Sequence, residues 1–131
     1  MSFVYSAVDS LKGQSKVGSG QCAVLIQYYT KAGLTKTWKA GEKVLGNPSI
    51  QKGTAIATFV NGKYPTTGRH AAFYIRQDAN NVYVVDQWAN DPNKPTISER
   101  PLRKKGGMLI DGTYPDAPNN AEAFYIIEMD K

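Results

Sequence analysis

The chain has 131 residues, 41% hydrophobic and 21% charged, with a net charge of +5 and an isoelectric point near 9.3. That length predicts a single domain over residues 1–131, and no apolar run approaches the ~18 residues of a membrane helix, so membrane insertion is not expected. One cysteine and one histidine exclude an internal disulfide and leave no metal site or cofactor to expect, and the lysines are dispersed apart from Arg103-Lys104-Lys105, without a nucleic-acid motif.

The first residues lack the basic start and continuous apolar core of a secretory signal, which predicts synthesis in the cytoplasm. Phe3, Val4, Ala7, Val8 and Leu11 recur at helical spacing and predict a short first helix, broken by Gly13 and the polar stretch to Gly20. A second helix is predicted from Gln21 to Lys31, ending before Gly33, with Leu25, Ile26 and Tyr29 facing the core and Cys22 at its start. Residues 37–44 read as a connector, and Gly46-Asn47-Pro48 as a turn. Residues 53–60 carry β-formers up to the turn Asn61-Gly62 and predict a strand.

A polar loop over 63–69 then delivers His70 to the head of a second strand, Ala71 to Ile75. Turn residues at 77–81 join it to a third strand, Val82 to Trp88, whose far end returns towards His70. After a loop over 89–95, residues 96–102 predict a short strand interrupted at Pro101. Glycine, proline and asparagine dominate from Gly106 to Asn120, and Ala123 to Met129 predicts the last strand. Helices followed by an antiparallel sheet make an α+β protein, with N-terminal helices packed on the sheet.

A thiol at a helix start is where thiolate forms most readily, because unpaired N–H groups and the helix dipole both favour negative charge there. A cysteine amidase also needs an imidazole to hold and donate the proton and a polar group to orient it. Cys22, His70 and one of Asp86, Gln87 or Asn90 supply these types. Side chains alternate along a strand, so the hairpin register decides whether Asp86 or Gln87 shares the face of His70. A carboxylate both orients imidazole and stabilises imidazolium, which favours Asp86, with Gln87 as the alternative orienting residue. Gln21 is a candidate for the oxyanion, and Tyr64 and Trp88 for a substrate groove. Each has a plainer reading: a buried small thiol, a structural histidine, a capping glutamine, a turn aspartate, core aromatics. Their joint order along the chain is what argues for chemistry.

The segments Gly-Gln-Cys-Ala-Val-Leu-Ile-Gln, Gly-Thr-Ala-Ile-Ala-Thr-Phe, Gly-Arg-His-Ala-Ala-Phe-Tyr-Ile and Val-Val-Asp-Gln-Trp resemble those of papain-like amidases of the CHAP and NlpC type. More narrowly, they resemble small amidase effectors of type VI secretion. The resemblance implies a papain-like fold with Cys22 as nucleophile, His70 as general base and Asp86 as orienting residue, and no cofactor. It implies hydrolysis of an amide bond in peptidoglycan stem peptides through a thioester. Delivery to a target cell's periplasm and an immunity protein as partner belong to the same expectation. The same residues also permit a protein deamidase or transglutaminase-like toxin, which shares the thioester. A binding module without catalysis, holding an anionic or sugar-containing partner on Tyr64, Tyr74, Trp88 and the basic surface, is the reading from a different class.

Overall fold

Continuous burial over residues 55–58 and 71–75 builds a sheet with both faces covered. The computed structural model describes residues 2–129. Its strands are β1 (Trp38–Lys43), β2 (Ala55–Thr58), β3 (Ala71–Gln77), β4 (Asn81–Asp86), β5 (Ser98–Arg103) and β6 (Phe124–Met129), with one α-helix, α1 (Cys22–Tyr29). They form a six-stranded sheet in the order β1-β6-β2-β3-β4-β5, antiparallel at every pairing. Ala55, Ala57, Ala71 and Phe73 pack with Leu25 and Ile26 of α1 on one face. Ile56, Ala72, Tyr74, Val84 and Leu102 pack with Ala121, Ala123 and Phe124 on the other. Successive residues of β2 and β3 thus serve opposite cores, as the two-residue period of a strand requires. Small alanines in β2 and β3 let the helix approach the sheet closely.

The α+β class stands, but its helical part is smaller than the apolar spacing predicts. The first helix is replaced by a 3-10 turn, Val8–Leu11, preceded by extended chain that pairs with the sheet. Ala55 N–H donates to the Phe3 carbonyl at 2.8 Å and Tyr5 N–H to the Gly53 carbonyl at 2.9 Å. Phe3, Val8 and Leu11 are buried all the same, so tertiary pairing satisfies the same apolar residues without a helix. The second helix stops at Tyr29 rather than Lys31 because Thr30 is extended, with φ of −135°, and turns its hydroxyl onto the Ile26 carbonyl at 2.8 Å.

Residues 38–43, expected as a connector, are the edge strand β1, paired to β6 through Trp38↔Met129 and Ala40↔Ile127. Trp38 anchors it, buried with its indole N–H on the Ala32 carbonyl at 3.0 Å. The strand over β5 is continuous through Pro101, which stands opposite Tyr83; β5 lies at the sheet's other edge, where a missing N–H breaks no second ladder.

Candidate active site

Gln21 is extended, with φ of −66° and ψ of 148°, and Cys22 is the first residue of α1. The chain enters that helix through Gly20, whose φ of +84° is left-handed and disfavours a side chain. The thiol is half-buried. His70 lies just before β3, and Thr58 clamps its backbone: His70 N–H donates to Thr58 Oγ1 at 3.0 Å, and Thr58 N–H to the His70 carbonyl at 2.9 Å. Its ring is 1% exposed. Nε2 stands 2.7 Å from Asp86 Oδ2; an ionised carboxylate only accepts, so the ring donates from Nε2, and the ring also neighbours the Cys22 thiol.

Register decides which neighbour meets the imidazole. Phe73 pairs with Val85 and Tyr74 with Val84, which puts Asp86 and Trp88 on the His70 face and Gln87 on the opposite one. Trp88 stacks on the imidazole, centroids 4.3 Å apart and planes at 17°. Gln87 is buried and spends its amide on backbone, accepting from Val17 N–H at 2.9 Å and donating to the carbonyls of Val17 at 3.1 Å and Gln21 at 2.8 Å. It tethers the entry to α1 and makes none of these bonds to His70. Gln21 has an exposed side chain with no capping bond to the helix. Asn90 is exposed, with φ of 58°.

Tyr64 approaches from the β2–β3 loop, its hydroxyl 3.8 Å from Cys22 Sγ. It packs on Trp38 at 4.8 Å between centroids and carries the Arg69 guanidinium 5.2 Å from its ring centre.

Arg100 is the participant that the sequence does not reveal. From β5 its Nε donates to Asp86 Oδ2 at 2.6 Å, while its two terminal nitrogens donate to Asn119 Oδ1 at 2.9 Å and the Pro118 carbonyl at 3.1 Å. The same guanidinium lies 5.0 Å from the Trp88 ring centre. Nothing local distinguishes Arg100 from the other cations; the signal is its place opposite Val84 in the β4–β5 ladder, diagonal to Asp86.

The electrostatics of the group are linked. Burial works against the Cys22 thiolate, but the hydrogen bond and charge of His70, with the Ala71 backbone N–H and the Tyr64 hydroxyl, outweigh it and hold the thiol below its ordinary range. Burial likewise works against imidazolium, and the bonds to Asp86 and Cys22 overcome it, so His70 titrates above the usual imidazole value. Asp86, opposed by burial and favoured by His70 and Arg100, is held below the carboxylate range. Tyr64 is pushed upward by burial and the neighbouring thiol, so its hydroxyl stays a donor. Each of the thiol, the imidazole and the carboxylate favours the charged form of its neighbour, an arrangement suited to nucleophilic attack on a carbonyl. Among the described residues no group of three or more His, Cys, Asp and Glu side chains is arranged to hold a metal ion.

The profile of the domesticated amidase effector 2 family, Dae2, matches residues 2–127. The chain belongs to the Dae2 family. It is 47% identical over 133 residues to the type VI secretion amidase effector 2 protein of Salmonella typhi, covering 98% of this chain and 100% of that protein. A solved structure of type 6 secretion amidase effector 2 (Tae2) superposes with a TM-score of 0.94 at 46% identity, covering 98% of this chain and 95% of the other. As a Dae2 member, the chain carries its single cysteine and single histidine in contact, at the end of the sheet where β3 begins and β4 ends.

Proposed function

We propose that this Dae2-family protein is a cysteine amidase that hydrolyses an amide bond in peptidoglycan stem peptides, on a papain-like fold of the CHAP and NlpC type. The observation that carries the reading is the His70 ring held between the Cys22 thiol and the Asp86 carboxylate, in a chain 47% identical to a type VI secretion amidase effector. Cys22 thiolate attacks the carbonyl carbon, and the backbone N–H groups at the start of α1 face the oxygen that becomes negative. Imidazolium gives its proton to the departing amine as the C–N bond breaks, leaving an acyl thioester. Neutral His70 then takes a proton from water, the hydroxide adds, and the thiolate leaves with a carboxylic acid as product. Asp86 keeps the ring in one orientation and favours imidazolium, and Arg100 keeps Asp86 ionised.

The family membership supports an effector's route as well: delivery by a type VI apparatus into a target cell's periplasm, with an immunity protein as partner in the producing cell. Digestion of purified muropeptides, with products resolved by chromatography and mass spectrometry, tests the chemistry. Wild-type protein is expected to release fragments with one new amine and one new carboxyl each. Cys22→Ala is expected to release none, a loss of at least ~10³-fold, since removing a covalent nucleophile leaves only binding and the oxyanion site. Equal digestion by wild type and Cys22→Ala would overturn the reading.

A further inference from the structure

Helix α1 begins without the usual means of fixing its first turn. Its N-cap residue, Gln21, makes no side-chain bond to the helix, and Cys22, Ala23 and Val24 are only half-buried. The first side chains sunk in the core are Leu25 and Ile26, nearly one turn further on. Helix ends fray unless something outside the helix satisfies and holds them, so the proposed nucleophile stands on the turn that the core holds least. The anchor comes from the strand that carries Asp86. Gln87 follows β4 directly, is fully buried, and reaches both ends of the segment leading into α1: it accepts from Val17 N–H at 2.9 Å and donates to the carbonyls of Val17 at 3.1 Å and Gln21 at 2.8 Å. Lys16 bonds the Trp88 carbonyl through its ammonium, and Gly20 runs so close that a Cβ there would lie 3.7 Å from Ala89 Cα. Three consecutive residues thus serve both partners: Asp86 bonds the imidazole, Trp88 covers its face, and Gln87, directed to the other side, holds the entry to the thiol.

We propose that Gln87 is a positioning residue that sets the Cys22 thiol against His70, by tying the start of α1 to the backbone that seats the imidazole. The catalytic consequence rests on the amidase reading above; the effect on the thiol does not. A single rigid link between the two segments keeps the contact of thiol and imidazole from being averaged over a fraying helix end, and keeps the N–H groups of that first turn aimed at one point. An amide suits the task because it offers one acceptor and two donors, which the Val17 N–H and the two carbonyls use up; an ionised carboxylate of the same length has no donor for either carbonyl.

The test is the pH dependence of Cys22 alkylation by iodoacetamide, followed by mass spectrometry, with muropeptide kinetics and urea unfolding on the same preparations of wild type, Gln87→Met and Gln87→Asn. Met keeps the volume and removes every bond; Asn keeps the amide but is one methylene too short to span both ends of the segment. Gln87→Met is expected to raise the alkylation midpoint by about 0.5–1 pH unit, since a loosened thiol shares less of the imidazolium charge. Its kcat is expected to fall about 10- to 100-fold with little change in KM. Gln87→Asn is expected to move both in the same direction by less, and serves as the readable variant should Gln87→Met fail to fold. On a His70→Ala background the Gln87 substitution should leave the midpoint where His70→Ala alone puts it, because the tether acts through the imidazole. A folded variant with a lowered urea midpoint but wild-type alkylation and kcat would make Gln87 merely structural and overturn the proposal, as would a shift that persists in full without His70. Failure of wild type to cleave muropeptides, with the alkylation shifts present, overturns the amidase reading and leaves the tether standing.

Discussion

His70 is 1% exposed and nevertheless favours its charged form, because partners replace the water that burial removes. The thiol is held low and the imidazole high, so each favours the charged form of the other. Alkylation by iodoacetamide should therefore remain fast well below the ~8.5 of a free thiol. In His70→Ala its pH midpoint should rise towards that value or above it, since the remaining burial opposes thiolate; an unchanged profile would deny the pair. Arg100 acts one step back, through Asp86. Arg100→Gln removes a charged hydrogen bond worth ~1.5–3 kcal/mol, raises the Asp86 pKa and weakens imidazolium. Muropeptide cleavage should fall about 10- to 100-fold in kcat with little change in KM, and the alkaline limb of the pH profile should move to lower pH. Arg100→Lys should recover part of the rate. A merely structural Arg100 would change stability without moving that limb.

Elements with local signals fall where the sequence puts them: α1 begins beside Cys22, and the hairpin of β3 and β4 turns within residues 77–81. Two segments do not, and both owe their form to distant chain. The N-terminal residues have helical spacing, yet their backbone bonds to residues 53–55, a pairing about 50 positions away that no local window contains. β1 holds Lys39, Gly41, Glu42 and Lys43, poor strand formers that an edge position beside β6 makes tolerable. Gly53 secures the N-terminal pairing with φ of +91°, and a Cβ there would lie 2.2 Å from the Tyr5 carbonyl oxygen. Gly53→Ala should cost at least ~2 kcal/mol from backbone strain and displaced pairing, read as a lowered midpoint in urea unfolding. An undiminished midpoint would show that the N-terminal segment is dispensable to the sheet.

The molecule as a whole inherits the pH dependence of its buried Asp86–His70 pair. Asp86 is held below its ordinary value, so its contribution to stability is full above the unfolded value of about 3.9 and is lost as pH falls through the lower native one. His70 is held above its ordinary value, so its contribution is full below about 6.5 and is lost as pH rises through the higher native one. Urea midpoints should accordingly be flat between those limits and fall on both sides. Asp86→Asn should remove the Asp86 part of the acid loss and shift the alkaline loss to lower pH; an acid limb unaltered by that substitution would assign it to other carboxylates. The types and order of the groups proposed to react, a cysteine at a helix start, a histidine before a strand and an aspartate across one hairpin, are legible in the chain because each depends on neighbours within a turn or a hairpin. The register that seats Asp86, the residue favoured on chemical grounds, rather than Gln87 against His70, and the arrival of Arg100 from β5, are not. They depend on register and on strand order, relations between segments far apart in sequence that exist only once both sheet faces are packed.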